Sequence, residues 1–307
     1  MTEELQRRVH QFVDYRVTGD PESDYHVVAG ALSGILAGVR ALEKEGLARP
    51  AIKQLVAGAY EAVGRSVLFR RMQIWPRGYP GDFETIEHIM SGDNRSEVDA
   101  KAYFIEQYGL ASPAAQQHRN KVSHQARMIL QTALTRAPAR ILSIACGSSP
   151  DIRAVLPHLR GSQVEFVLLD GDQGALDFTR AQLEGAELPC EFIHGNILKN
   201  IVRLRDFGQF DLVVIGGLFD YLRDTTIVKI LSSLRAHNLR KQGRVFFTNI
   251  SEHNPDRVFI EYLAEWCLIA RTEERMRSLA QLAGFGSDAI AIQREATKLT
   301  HLVECTA

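Results

Sequence analysis

The sequence predicts an α/β fold, in which a doubly wound, mostly parallel sheet of seven strands follows an N-terminal helical domain. Three observations lead to this class. Up to residue 137 the apolar residues follow helical spacing, and no alternating strand pattern of any length occurs there. After Pro138, strand-like apolar runs alternate with segments of helical spacing. Two further strand candidates follow each other closely near residue 300, which predicts an antiparallel edge on the sheet.

The helical domain is predicted over residues 1–124. Apolar residues from Leu32 to Leu42 fall on one helix face, and Gly46 marks the end of that helix. A second apolar stripe covers 52–67 and runs into a basic end, which suits the partial negative charge of a helix C-terminus. A third helix is predicted over 114–135.

The sheet domain is predicted over residues 125–307. Its first five strands are short apolar runs rich in β-branched and aromatic residues, at 139–146, 164–170, 190–195, 210–217 and 244–250. Because such continuous apolar strands alternate with helices, we expect helices to cover both faces of a parallel sheet. One long helical stretch is expected over 256–283, followed by the last two strands at 287–293 and 298–305.

Composition and charge narrow the class of protein. The 307 residues are 45% hydrophobic and carry 36 Lys+Arg against 37 Asp+Glu, which excludes a disordered chain and disfavours a broad nucleic-acid surface. The four cysteines lie far apart without a CxxC pair, so neither a disulfide framework nor a metal site is expected. The start has no signal-like apolar segment, and no run approaches the roughly 18 apolar residues of a spanning helix. We therefore expect a cytoplasmic protein with a small-molecule substrate and no nucleic-acid or membrane partner.

In a doubly wound sheet the ligand binds at the carboxyl ends of the strands, so the residues there carry the functional prediction. After the first strand come Ala145 and Gly147, where a small loop permits close backbone approach to a ligand. The loop has one glycine and lacks the G-x-G-x-x-G pattern, which disfavours NAD and FAD. A simple glycine turn between strand and helix explains the loop equally well.

The second strand ends in Asp170, whose carboxylate can accept two hydrogen bonds from a ribose diol. Two alternatives stay open: Asp172 is the ribose ligand, or Asp170 caps the next helix. After the third strand, Asn196 offers an amide that can pair with a base edge, although it also suits a turn.

The fourth strand ends in two glycines, of which Gly217 is predicted to approach a ligand. Tyr221 follows as an aromatic side chain close to the site. Phe219 is equally well placed for the core or for ligand contact.

Together these four strand ends resemble the class I S-adenosylmethionine-dependent methyltransferase family over residues 125–307. The resemblance implies that the loop from Ile144 to Ser149, including Ala145 and Gly147, contacts the methionine part of S-adenosylmethionine. It also implies that Asp170 binds the ribose and that Asn196 flanks the adenine. The sequence ACGSSP stands where the family commonly has a G-x-G-x-G run, so individual loop contacts are expected to differ.

A second resemblance lies in the helical domain, where WPRGYPGDFE at 75–84 is similar to the PRGYxGD segment of a bacterial subgroup of these enzymes. His118–Lys121 and Gly217–Leu222 are also similar to segments of that subgroup. The resemblance implies a lid, in which Arg77, Tyr79 and Asp82 point at the bound cofactor. A rigid linker is the alternative.

Arg119 is a candidate for the carboxylate of the cofactor's methionine, because a guanidinium can grip a carboxylate with two hydrogen bonds. An arginine on a solvated helix face explains this position equally well.

These observations predict methyl transfer from S-adenosylmethionine to a small metabolite of secondary metabolism, with Tyr79, Asp82 and Tyr221 as catalytic residues. Aromatic side chains can hold the sulfonium by cation–π attraction. The chain also resembles azetidine-2-carboxylate synthases, which have the same fold. That resemblance implies an alternative, in which S-adenosylmethionine is cyclised to azetidine-2-carboxylate with release of methylthioadenosine. A non-catalytic cofactor-binding module is a third interpretation. The sequence does not predict the oligomeric state.

Overall fold

The computed structural model describes residues 1–98, 100–201 and 203–307, and these residues form two compact units. The helical unit consists of 1–116 and 254–267, and the sheet unit consists of 117–253 and 268–307. The chain thus passes between the units at three points. The predicted division at 124/125 places 254–267 in the sheet domain, whereas the structure groups this segment with the helical unit.

The helical unit begins with a run of short and long helices. They are α1 (Thr2–Asp14), α2 (Pro21–Lys44), α3 (Arg49–Leu55), α4 (Ala57–Val63), α5 (Val67–Ile74), α6 (Phe83–Ser91) and α7 (Lys101–Leu110). The predicted single stripe over 52–67 is divided among α3, α4 and α5. The reason is local, because Ser66 leaves helical geometry and its hydroxyl accepts the Phe69 N–H at 3.3 Å to begin α5.

Helix α2 carries the predicted apolar stripe, which is fully buried from Leu32 to Leu42. Asp20 caps its start by accepting the Ser23 N–H, and Pro21 occupies the first turn. By length and composition alone, its 24 residues could span a membrane. This differs from the expectation that no run approaches the length of a spanning helix. The core helix of a water-soluble protein meets the same criterion, and α2 packs against α1 and α7.

Two charged side chains, Glu106 and Lys101, form hydrogen bonds between separate segments of the helical unit. Glu106 is fully buried, and its carboxylate accepts hydrogen bonds from His88, the Ser66 and Ser96 hydroxyls, and two backbone N–H groups. The ammonium of Lys101 donates to the carbonyls of three residues at the end of α1, at 2.7, 2.8 and 3.4 Å. Both charges therefore replace the hydrogen bonds that water would supply.

The sheet unit confirms the predicted fold. Its strands are β1 (Ala139–Ile144), β2 (Val164–Asp170), β3 (Cys190–His194), β4 (Phe210–Ile215), β5 (Leu239–Ile250), β6 (Ile290–Arg294) and β7 (Thr300–Thr306). Their order is β3-β2-β1-β4-β5-β7-β6. The first five strands are parallel, and β7 runs antiparallel to both β5 and β6, as the closely spaced final pair predicts.

Helices cover the sheet between these strands. They are α8 (Pro113–Thr135), α9 (Pro150–Leu159), α10 (Gln173–Leu183), α11 (Ile197–Asn200), α12 (Asp224–His237) and α14 (Glu273–Leu282). Helix α8 enters the sheet unit at residue 117, and α14 follows α13 (Arg257–Leu263), which belongs to the helical unit. Successive residues of each strand alternate between two apolar layers. In β1, for example, Leu142 joins the layer with α12 and α14, whereas Ile141 joins the layer with α8 and α9.

The prediction of one helical stretch over 256–283 is wrong. Helix α13 (Arg257–Leu263) belongs to the helical unit, and α14 begins ten residues further along the chain, at Glu273. The segment before α14 is held in an extended conformation instead. The Ile269 N–H donates to the Asp220 carbonyl at 2.7 Å, and the Arg271 N–H donates to the Ile250 carbonyl at 3.1 Å. Backbone groups bonded in this way are not available to continue a helix.

Candidate functional site

The carboxyl ends of β1, β2, β3 and β4 lie side by side in the sheet unit. In the parallel register, Ile144 is level with Leu169 on one side and with Ile215 on the other. Asp170 pairs with His194 at the end of β3. The loops that the sequence singled out therefore share one edge of the sheet, where doubly wound proteins bind their ligands.

The loop after β1 has an unusual backbone. Ala145, Gly147 and Ser149 all adopt the left-handed conformation, with φ of 53°, 55° and 48°. This geometry costs a non-glycine residue about 1–2 kcal/mol, so tertiary contacts must hold the loop in place. The Gly147 N–H donates to Asp170 Oδ2 at 2.8 Å, and the Thr179 hydroxyl donates to the Gly147 carbonyl at 2.9 Å. Both sides of the Gly147 peptide are thus fixed.

Asp170 is buried, with 8% of its surface exposed, and both of its carboxylate oxygens accept backbone hydrogen bonds. Besides Gly147, the Asp172 N–H donates to Oδ1 at 2.8 Å. Burial raises the pKa of Asp170, and these two hydrogen bonds oppose that shift. The carboxylate can accept further hydrogen bonds on its remaining lone pairs, which is what a ribose diol requires.

The structure distinguishes Asp170, which the sequence left open as a helix cap, from Asp172. Asp172 caps α10, because its side chain accepts the Gly174 N–H at 2.9 Å. Asp170 does not cap this helix and instead anchors the glycine loop. Ribose binding by Asp170 stays a prediction.

Asn196 follows β3 and is exposed. Its side-chain oxygen accepts the Leu198 N–H at 2.8 Å and so begins the short helix α11. The turn role that the sequence allowed is therefore present, and contact with adenine stays a prediction. The Gly195 N–H donates to the Asp170 carbonyl at 2.8 Å, which keeps Asn196 beside the end of β2.

The end of β4 lies under α8, and its two glycines leave room for that helix. A Cβ at Gly216 would lie 2.0 Å from Gln125 Nε2, so a side chain here would displace Gln125. Gly217 has a φ of 101°, and a Cβ there would lie 3.1 Å from Lys121 Nζ and 3.8 Å from Asp220 Oδ2. The space beside Gly217 is therefore bordered by one cationic and one anionic group.

Lys121 and Asp220 are both buried, with 6% and 8% of their surfaces exposed. Burial lowers the pKa of Lys121, and attraction to Asp220 opposes that shift. Burial raises the pKa of Asp220 to about 6, although Lys121, the Ile250 N–H at 2.7 Å and Arg271 favour its charged form. Neither residue was assigned a role from the sequence. No signal in the sequence singles out Lys121, because its spacing of four residues from Gln117 and Gln125 on α8 also suits a solvent-facing helix face.

The segment after β4 is fixed by Arg271. Its guanidinium donates to the Phe219 carbonyl at 2.9 Å and to the Leu222 carbonyl at 2.5 Å, and it forms an ion pair with Asp224 at 2.8 Å. Phe219 is fully buried and belongs to the core, whereas Tyr221 is 39% exposed. Of the two aromatic residues considered for this segment, Tyr221 is the accessible one.

Three predicted site residues lie in the helical unit. Asp82 caps α6 by accepting the Thr85 N–H at 2.9 Å and forms an ion pair with Arg71 at 2.9 Å. The Arg77 guanidinium stacks over the Phe83 ring at 4.7 Å. Tyr79 is 37% exposed. These contacts give Asp82 a structural role at the start of α6, and the roles of all three at a cofactor site stay predictions.

Arg119 lies on α8 in the sheet unit and is partly buried, and this burial lowers its pKa. Its proposed contact with the methionine carboxylate stays a prediction.

Comparison with known proteins finds a family match within the sheet unit. Residues 141–243 match the family model of a methyltransferase domain. This segment is therefore similar to a methyltransferase domain. No curated protein matches the chain in sequence.

A solved structure shows a similar fold, and two others are reported with it for comparison. A protein of Bordetella parapertussis described as exported has 17% identity and a TM-score of 0.63, covering 93% of this chain and 96% of that one. A Nostoc punctiforme protein described as an O-methyltransferase has 17% identity and a TM-score of 0.49, covering 80% and 72%. The magnesium protoporphyrin IX methyltransferase of Synechocystis has 10% identity and a TM-score of 0.48, covering 64% and 88%.

The residues at the sheet edge fit S-adenosylmethionine. The loop after β1 has a left-handed backbone that is not part of a helix, and Asp170, which anchors this loop, keeps acceptor capacity beside it. A molecule with a ribose diol can donate to the remaining lone pairs of Asp170 while it lies against the loop.

Proposed function

We propose that this protein transfers the methyl group of S-adenosylmethionine to a small metabolite. The observation that carries the proposal is the fixed Gly147 loop, which Asp170 anchors at the shared edge of β1, β2 and β4. Asp170 would hold the ribose, the loop from Ala145 to Gly147 the methionine part, and Asn196 the adenine. The bound donor supplies a methyl group already activated by a sulfonium, so the protein has to align the acceptor and exclude water.

The helical unit serves as a lid in this proposal. Tyr79 in the helical unit and Tyr221 in the sheet unit are both accessible aromatic side chains that can attract the sulfonium. Arg77 and Asp82 fix the backbone on either side of Tyr79 through their contacts with Phe83 and Arg71.

A small acceptor and a cytoplasmic location belong to the same proposal. The balanced charge of 36 basic and 37 acidic residues does not favour a polymer such as nucleic acid. The four cysteines are free thiols, which suits a reducing compartment.

Incubation of the purified protein with S-adenosylmethionine alone, followed by mass spectrometry, tests the proposal. We expect the donor to bind, as measured by calorimetry, and to survive intact until an acceptor is added from a panel of phenols, carboxylic acids and amines. Detection of methylthioadenosine together with a four-carbon cyclic amino acid would mean that the protein cyclises S-adenosylmethionine instead of transferring its methyl group. Absence of binding would reject both reactions.

The lid has its own test in Tyr79→Phe and Tyr221→Phe. Both substitutions keep the ring and remove one hydroxyl, so we expect little change in the free energy of unfolding. Turnover should fall if the hydroxyls help to position the donor or acceptor. Unchanged turnover in both variants would leave the catalytic role of these hydroxyls without support, and Tyr103→Phe is the control outside the proposed site.

A further inference from the structure

We propose that Lys121 is the base that takes the proton from the methyl acceptor, and that Asp220 stabilises the resulting ammonium. The inference rests on the proposed methyl transfer and adds a catalytic residue to it. Lys121 lies on α8, directly over the glycines that end β4, and therefore at the edge of the sheet where the donor is proposed to bind.

Helix α8 turns a polar stripe toward the sheet at this point. Gln117, Lys121 and Gln125 are spaced by four residues and are all at least nine-tenths buried. The two glutamines have clear packing roles. Gln117 accepts a hydrogen bond from the Thr300 hydroxyl at 2.6 Å, and Gln125 fills the space above Gly216. Lys121, between them, faces Gly217.

The hydrogen-bond partners of Lys121 differ from those of Lys101, a partly buried lysine of the helical unit. Lys101 donates to three backbone carbonyls, which satisfy its ammonium. Within the described ranges, Lys121 has neither a hydrogen bond nor an ion pair, and Asp220 lies beyond ion-pair distance. A buried ammonium without hydrogen-bond partners is costly, so this site shifts Lys121 toward the amine, which is the form that can accept a proton.

The charges around Lys121 make its protonation depend on the reaction. Asp220 attracts the ammonium, and Arg271 in turn faces Asp220. His118 lies on the same helix, and burial together with the charges of Lys121 and Arg119 lowers its pKa. A bound sulfonium adds a further positive charge at this edge of the sheet, which disfavours the ammonium until the methyl group has left.

The proton and charge balance of the step is simple. The acceptor O–H or N–H bond breaks and its proton binds to Lys121 Nζ, while the acceptor's electron pair forms the new bond to the methyl carbon. The carbon–sulfur bond breaks and its electron pair stays on sulfur. One positive charge is thus lost at sulfur as another appears at Nζ, and the carboxylate of Asp220 stabilises the latter.

Direct titration of Lys121 tests the inference without an acceptor. Protein labelled with ¹³C at the lysine ε-carbons would be titrated by NMR with and without S-adenosylmethionine, and the Lys121→Arg variant would assign the signal. We expect Lys121 to titrate below the ~10.4 of a solvated lysine, and lower again with the donor bound. An ordinary titration, or a donor-independent one, would overturn the inference.

Variants separate this inference from the proposed function. Lys121→Met should bind S-adenosylmethionine within about threefold of the unchanged protein, while turnover of an acceptor from the panel falls by at least about 100-fold. Lys121→Arg should not restore turnover, because a guanidinium keeps its proton. The loss should diminish as pH rises toward the pKa of the acceptor itself.

Lys101→Met is the matched control, since it removes a partly buried lysine of the helical unit. The turnover of this variant per folded molecule should be unchanged. If Lys121→Met loses donor binding instead of turnover, Lys121 is a binding residue and the inference is wrong. If the unchanged protein fails to bind S-adenosylmethionine, the proposed function itself fails.

Discussion

Two pairs of ionisable side chains, one in each unit, differ in how completely they are hydrogen-bonded. In the helical unit, Glu106 accepts five hydrogen bonds, and Lys101 donates to three carbonyls. In the sheet unit, Asp220 accepts one hydrogen bond from Ile250, and Lys121 makes none within the described residues. A buried charge with a full set of partners stabilises the fold, whereas one without them is available to a ligand.

The pKa values follow the same contrast. Burial raises the pKa of Glu106, but hydrogen bonds from His88, Arg95 and Leu68 outweigh it and hold the pKa at about 2. Asp220 receives too few hydrogen bonds to offset its burial, and its pKa lies at about 6. The pKa values of these two buried carboxyl groups thus shift in opposite directions, because more hydrogen-bond donors surround Glu106 than Asp220.

The strongest test of this comparison is Glu106→Gln, which we expect to lower the free energy of unfolding by about 3–5 kcal/mol. The amide keeps one oxygen that can accept hydrogen bonds, but its NH2 group cannot accept any, so the buried donors that face it lose their partner. Urea unfolding measures the change, with Glu97→Gln at an exposed position as control.

The same variant predicts a pH effect. The depressed pKa of Glu106 means that its contribution is full above about pH 4.5 and is lost as pH falls toward about 2. This loss should be absent in Glu106→Gln. A loss of equal size in both proteins would show that Glu106 does not stabilise the helical unit through its charge.

The next effect concerns the donor site. Asp170→Ala should weaken S-adenosylmethionine binding by about 1–3 kcal/mol, because it removes both the proposed ribose contact and the anchor of Gly147. Asp172→Ala is the matched control: it should cost about 1 kcal/mol of stability through the lost cap of α10 and leave affinity nearly unchanged. The opposite result in calorimetry would transfer the ribose contact to Asp172.

Asp220→Asn should act on stability in the direction opposite to Glu106→Gln. Because the pKa of Asp220 is raised, the folded protein loses stability as pH rises from about 3.8 through about 6. The amide removes this loss, so the variant should be more stable than the unchanged protein at pH 7, by at most about 1–3 kcal/mol, and equal to it near pH 4. Lower stability at pH 7 would show that the charged carboxylate is well satisfied in the fold.

The smallest expected effect is that of Thr179→Val, which removes the hydroxyl bonded to the Gly147 carbonyl. We expect a loss of about 0.5–1.5 kcal/mol in unfolding free energy, since one buried hydrogen bond is lost while the shape is kept. Donor affinity should fall in parallel if the loop conformation matters for binding. Unchanged affinity would indicate that Asp170 alone holds the loop.

The elements that the sequence predicts well are those with a continuous apolar pattern. Strand β2 was predicted with its observed bounds, because VEFVLLD is apolar up to the aspartate that ends it. The fold class follows from such runs and is confirmed. By contrast, the break of the 256–283 stretch depends on backbone hydrogen bonds from Ile269 and Arg271 to distant residues, which leave no local signal.

The site shows the same limit. Gly147 and Asp170 are recognisable because a glycine turn and an acid stand directly after apolar strands. Lys121 is not recognisable, since a polar stripe of glutamine and lysine on a helix has the pattern of a solvent-facing surface. Its burial depends on Gly216 and Gly217, which come roughly a hundred residues later in the chain and remove the side chains that would keep α8 away.

Helix α13 belongs to the helical unit although it lies between two segments of the sheet unit in sequence. This order limits how the chain can be cut into fragments and how its two units could have been joined in evolution. Phe259 of α13 packs edge-on against Phe69 at 4.9 Å and against Tyr108 at 5.4 Å, so a fragment beginning at residue 125 would expose that aromatic face to water. A gene fusion could not have added the helices as one contiguous block, because their last member is encoded between β5 and β6 of the sheet unit. Substitutions at Phe69 and Phe259 should therefore be selected together, across 190 positions of sequence.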